Sequence, residues 1–248
     1  MGSNKMKSHP FQMNLLIAAV ALGAIFANPV SALFTFVQAG STDETFSDNN
    51  ASISLTGVGA GNLIVIWFKY EDEINIGPTT VTCSDGTSSL TAGTEISHAN
   101  TFIHGRYFYL LAAIRGNKSY TFTLGANRLY KMIVAMEYSY TGVASFDAQN
   151  TGAGTSTAVA SGNITTTGYD EVVFGSYGEF TSETLSAHEI NNVTRDGVTA
   201  VPSYYSSMWR KTFTSTFTGN ADATLSASGA WICNVIAFKA VASRTWDG

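Results

Sequence analysis

The chain has 248 residues, long enough for one large β domain or two small ones. It is 45% apolar and 12% aromatic but only 12% charged, which excludes a disordered chain and favours strands over helices. The net charge of −5, with no cluster of Lys or Arg, excludes nucleic acid as a partner and argues equally against an anionic membrane surface.

In chain order, Lys5 and Lys7 precede an apolar run, Leu15 to Phe26, followed by Asn28-Pro29-Val30-Ser31-Ala32. A basic start, a short apolar stretch and a small-residue Val30-x-Ala32 pattern describe a secretory signal peptide, with the mature chain starting near Leu33. The run falls short of the roughly 20 residues that span a bilayer, so no membrane span is expected in the mature form. A second reading keeps residues 1–32 as an apolar segment packed inside an assembly. Either way the chain is expected to be secreted or to lie on an extracellular surface, with a β domain over 33–241 and a tail over 242–248.

From Leu33 onward, short apolar or alternating runs are broken by Gly, Asn, Asp and Ser, and no helical stripe is sustained. Strands are expected at 33–38, 51–57, 61–70, 79–84, 105–114, 119–125, 130–141, 155–167, 170–178, 204–213, 221–227 and 230–240. This pattern predicts an all-β, two-sheet antiparallel jelly-roll-like sandwich with almost no helix. GNLIVIWFKY (61–70), KMIVAMEYSY (131–140) and AWICNVIAFKA (230–240) are apolar on both faces and read as central strands, with Trp67 and Trp231 in the core. TSTAVASGNITTT (155–167) reads as an edge or solvent-facing strand, 181–203 as a surface loop, and GVGAG (57–61) as a hairpin turn.

Taken together, AGNLIVIWFKY, VTCSDGTSSL, YFYLLAAI, EYSYTGVASFDAQ, YDEVVFGSYG and WICNVIAFKA resemble the secreted β-sandwich modules of bacterial, archaeal and phage surface proteins. The resemblance spans about residues 33–241 and implies a concanavalin-like or jelly-roll sandwich used on surfaces, generally without catalysis. The chain departs from that pattern at Cys83, where an Asp is usual, and in a longer Tyr-rich stretch near 200.

Several groups invite chemistry. SHANTFIHGRYFYLL (97–111) carries His98, His104, Arg106, Tyr107 and Tyr109. As a strand it sends His104, Arg106 and Phe108 to one face and Tyr107, Tyr109 and Leu111 to the other. A polysaccharide lyase or glycoside hydrolase would use His104 and Arg106, but one strand cannot supply base, acid and neutralising group together. The expectation is packed tyrosines with solvent-facing His104 and Arg106, which meet no Glu or Tyr of the next strand. Glu71, Asp72 and Glu73, and Glu179 with Glu183, offer carboxylates without a readable pairing. A structural calcium ion has eligible ligands in Asp48, Glu71, Asp72, Asp85 and Asp147 but no signature loop, and no other cofactor is implied. No nucleophile elbow or phosphate-binding loop occurs.

The leading binding candidate is VPSYYSSMWRKTF (201–213), in which Tyr204, Tyr205, Trp209 and Arg210 would present aromatic faces to sugars. The competing reading puts Tyr205, Trp209 and Phe213 in the core. Cys83 and Cys233 either form a disulfide or remain buried thiols in strands.

The functional expectation is a non-catalytic structural subunit of a surface assembly, such as a filament, sheath or virion surface, working through self-association or neighbouring surface proteins. A glycan-binding adhesive module is the first alternative and a jelly-roll lyase or hydrolase the second.

Overall fold

The computed structural model describes residues 34–72, 79–180, 184–190, 193–201 and 206–241. These residues form strands and no helix: β1 (Thr35–Glu44), β2 (Asp48–Val58), β3 (Leu63–Glu71), β4 (Val81–Ser84), β5 (Thr91–Ala92), β6 (Ile96–Ser97), β7 (Ile103–Leu110), β8 (Gly116–Arg128), β9 (Lys131–Ser139), β10 (Val143–Ala160), β11 (Ile164–Thr165), β12 (Asp170–Glu179), β13 (Leu185–Ile190), β14 (Val193–Thr194), β15 (Gly197–Val201), β16 (Ser206–Phe213), β17 (Thr218–Gly219) and β18 (Ala221–Val241). The fold is therefore all-β and sandwich-like, built from antiparallel sheets. The signal-peptide region and the tail 242–248 lie outside the described residues.

The middle sheet runs β1-β9-β3-β7-β5, with β6 also on β7. A larger sheet, β14-β13-β18-β12-β16-β15 with β10 on β18, covers one of its faces, and a three-stranded sheet, β2-β8-β4, covers the other. Alternation along β3 explains the stack. Leu63, Val65 and Trp67 pack with Phe174, Ile232, Ile236 and Phe238 of the larger sheet. Ile64, Ile66, Phe68 and Tyr70 pack with Ile53, Tyr120 and Phe122 of the smaller one. A strand with a sheet on each side must be apolar at every position, and β3 is buried throughout. The smaller sheet is outermost, and β2 and β8 alternate buried and exposed residues as a half-solvated sheet should.

A third apolar cluster lies on the far face of the larger sheet, where Val173, Tyr177, Trp209, Cys233 and Val235 meet Val159, Ala221, Ala223, Leu225, Ile164 and Phe217. The long β10–β18 pair supplies both sides of this cluster. The register shifts between Ser156 and Ala158 of that pair let its far end leave the straight ladder.

Three expectations change, the first being that the sandwich has a sheet on each face of the middle one where two sheets in all were expected. Residues 181–203 are not one surface loop, because β13, β14 and β15 occupy most of the described part and extend the larger sheet at its ends. GVGAG does not close a hairpin. It passes from β2 in the small sheet to β3 in the middle one, and the buried Glu137 carboxylate fixes it by accepting from Gly59 N at 2.8 Å and Asn62 Nδ2 at 2.5 Å. Trp67 is fully buried and Trp231 is 7% exposed, both in the core.

Candidate functional site

β7 divides its side chains as alternation requires, with Tyr107 in the layer facing the large sheet and Phe108 in the layer facing the small one. His104 and Arg106 share the Phe108 face, opposite Tyr70 and Phe68 of β3. There the expectation of solvent-facing groups without partners fails. His104 is only 4% exposed and its ring stacks on Tyr70 at 4.8 Å between centroids. Its Nε2 lies 3.2 Å from Asp72 Oδ2 and its Nδ1 lies 3.6 Å from Glu95 Oε1. Glu95 also pairs with Arg106 and accepts the Tyr70 hydroxyl at 2.8 Å, while Asp72 pairs with Arg128. Glu95 comes from the link between β5 and β6, Asp72 from just beyond β3, and Arg128 from the end of β8.

Burial works to raise Glu95, but His104, Arg106 and Tyr70 outweigh it and hold the carboxyl below its ordinary range. Burial wins at Asp72 and raises it, against the pull of Arg128 and His104. Each carboxylate already has an arginine and the imidazole as neighbours, and the imidazole is buried against the Tyr70 ring. A general acid or base needs its proton within reach of a substrate, so this network is a clasp at one end of the two-layer contact.

On β16 alternation separates the neighbours Trp209 and Arg210. Trp209 is a core residue in the outer cluster, fully buried, donating its Nε1–H to the Glu189 carbonyl at 2.8 Å. It presents no face to a sugar ring, which corrects its assignment to a contact surface. Tyr204 and Tyr205 lie outside the described residues. Arg210 points to the other face, its guanidinium 3.6 Å from the centre of the Phe36 ring. It lines an open cleft of about 400 Å³ with Phe34, Phe36, Tyr138, Asp196 and Thr212. Asp196 is held low against some desolvation, because it accepts from Lys211 Nζ at 2.7 Å and from Thr212 N and Oγ1, both at 2.8 Å. The cleft lies where β1, one edge of the middle sheet, meets β15 and β16 at one edge of the large sheet.

The disulfide is not formed. Cys83 is a free thiol between the small and middle sheets, and Cys233 is a free thiol on the far face of the large sheet. Two whole sheets separate them, far beyond the reach of an S–S bond. Burial pushes both thiols up.

The five carboxylates eligible for calcium are engaged one by one: Asp48 with Lys131, Glu71 with Lys69, Asp72 with Arg128, Asp85 with Lys118 and Asp147 with Lys239. Among the described residues no three His, Cys, Asp or Glu side chains group as metal ligands. Glu179 is buried beside Lys69, whose Nζ donates to the Glu179 carbonyl at 2.5 Å; Glu73 and Glu183 lie outside the described residues.

Fold and sites together define an all-β sandwich-like protein with a buried polar clasp around His104 and an open cleft at Arg210, where a sheet edge lies. No protein-family model, no curated protein and no solved structure matches the chain.

Proposed function

We propose that this protein is a non-catalytic subunit of an extracellular surface assembly, joined to its neighbours through the β1 edge. The observation that carries this reading is β1 itself. It runs ten residues, pairs only with β9 among the described strands, and leaves Phe36 and Val37 at 40% and 45% exposure beside the Arg210 cleft. An open edge recruits another strand, and although β1 is bulged at Val37 it pairs regularly with β9 from Gln38 to Glu44, which offers a straight length of edge to a neighbour. The partner we assign to it is an edge strand of a second copy, which gains main-chain hydrogen bonds from β1 and seats an apolar side chain against the exposed Phe36 and Val37.

The basic, apolar and small-residue pattern of the N-terminus supports export, and the low charge of the chain suits close packing of copies. The burial of Trp209 removes the main stacking face from the adhesive alternative, and the closed His104 clasp weakens the hydrolytic one.

Size exclusion and electron microscopy of the purified protein test the reading. High-mass particles or fibres that break down to monomers in Val37→Lys are expected. A monomer at every concentration overturns it, and saturable glycan binding lost in Arg210→Ala would favour the adhesive module instead.

A further inference from the structure

β10, β18 and β12 lie side by side in the large sheet, and each brings one reactive side chain to the same place. Glu171 on β12 stands directly opposite Lys239 on β18. Asp147 on β10 is the extra residue of a bulge, between Phe146 and Ala148, which pair with Phe238 and Ala237. A bulge re-aims its side chain, and here it brings Asp147 Oδ1 to 2.9 Å from Lys239 Nζ. The Asp147 side chain is 2% exposed and Glu171 is 1% exposed.

The segment that follows β11 closes over the group. Thr167 donates its N–H to Asp147 Oδ2 and its hydroxyl to Oδ1, both at 2.6 Å, and accepts Lys239 Nζ at 2.5 Å. Gly168 donates its N–H to Glu171 Oε1 at 2.8 Å. A Cβ on Gly168 would stand 2.6 Å from Lys239 Cβ, so only glycine lets the backbone press onto the lysine stem. Thr166 is a further hydrogen-bonding neighbour of the Glu171 carboxyl, which lies beside that of Asp147. Against its burial, Asp147 is held low by Thr167 and Lys239, so of the two neighbouring carboxyls Glu171 is the one that keeps a proton, while Lys239 stays 28% exposed.

The geometry points to a self-catalysed isopeptide bond between Lys239 Nζ and Asp147 Cγ, with Glu171 as the proton carrier. Burial, together with the neighbouring Asp147, keeps Glu171 protonated up to about pH 7. Glu171 passes its proton to the Asp147 carboxylate, turning it into an electrophilic acid, and takes one proton from the Lys239 ammonium. The neutral amine adds to Cγ, and its second surplus proton travels through Glu171 to the departing hydroxyl. One C–O bond breaks, one C–N bond forms and one water leaves, while Glu171 ends as it began. No oxidant, metal or cofactor enters the balance. Fixed positions and partial exclusion of water supply the conditions this condensation requires. The bond would clamp the start of β10 to the end of β18 and so tie the two longest strands covalently.

Intact mass of the denatured protein, with its termini read from the same peptide map, tests the proposal. The expected mass is one water below that of the sequence, with a branched peptide joining the Asp147 and Lys239 segments. Lys239→Arg and Glu171→Gln are expected to restore the full mass. Because the wild-type mass decides by itself, poor folding of a variant does not blunt the test. A wild-type mass equal to the sequence overturns the bond. So does a water loss that persists in Lys239→Arg or maps to a single linear peptide, as a cyclised aspartate would give.

Discussion

His188 on β13 packs edge-on against Trp209 at 5.2 Å and lies 3.3 Å from the Ser207 hydroxyl. Burial first, and Arg195 second, depress its imidazole to about 4. A free imidazole in the unfolded chain titrates near about 6.5. Above that value both states are neutral and the full stability is present. Between about 6.5 and about 4 only the unfolded chain takes up the proton, so stability falls as the pH drops. His188→Gln removes that uptake, and urea unfolding at pH 4.5 and pH 8 should show a loss smaller by about 2 kcal/mol than in the wild type. The clasp at His104 makes a second case. Glu95 holds His104, Arg106 and Tyr70 together, so Glu95→Ala takes the carboxylate from the largely buried Arg106 guanidinium and the acceptor from the Tyr70 hydroxyl, and is expected to cost about 2–4 kcal/mol, read from the unfolding midpoint at neutral pH. The faces of His104 and Arg106 were legible from alternation alone. Their partners were not, because Glu95 and Asp72 sit in short connecting stretches whose path depends on the finished sheet.

Among the elements, legibility follows burial. β3, β9 and β18 announce themselves by runs that are apolar at both parities, and each proves to have another sheet or a folded-over strand on both faces. β13 to β15 were hidden because strands at the margins of a sheet need little apolar alternation. Their backbone pairing with β18 and β16 keeps them in place. The same dependence on context explains Trp209, where an aromatic at a sheet margin could face either way and the third apolar cluster turns it inward. The third sheet escaped notice because composition tells that a strand is covered but not by what. Close packing between layers has a cost that can be measured at Gly105 on β7. A Cβ there would stand 2.3 Å from Trp67 and 2.9 Å from Ile232, side chains fixed in the layer between the middle and large sheets. Gly105→Ala is expected to destabilise by about 1–3 kcal/mol in chemical denaturation, whereas the same change at an exposed strand position should be close to neutral.

Across the whole molecule, three apolar layers divide the protein into parts of unequal security, and the two thiols report on different parts. Cys83 lies under the three-stranded sheet, which keeps one face in water and is held to the rest chiefly by a single apolar layer. Cys233 lies midway along β18, hydrogen-bonded between β10 and β12 and covered by the folded-over strand ends. Local opening draws on the elements with the least buried contact, so the outer three-stranded sheet should open before the large sheet loosens. A thiol reagent added to the native protein is therefore expected to modify neither cysteine quickly. With rising urea, Cys83 should react before Cys233, as mapped by mass spectrometry of the labelled peptides. Equal protection of both thiols up to the global transition would mean that the stacked sheets unfold as one unit. Earlier labelling of Cys233 would contradict the layered order of stability outright. Because the thiols are not joined, a reducing agent should leave the unfolding midpoint unchanged, and any resistance of the β10–β18 pair beyond that point must come from packing or from a bond other than a disulfide.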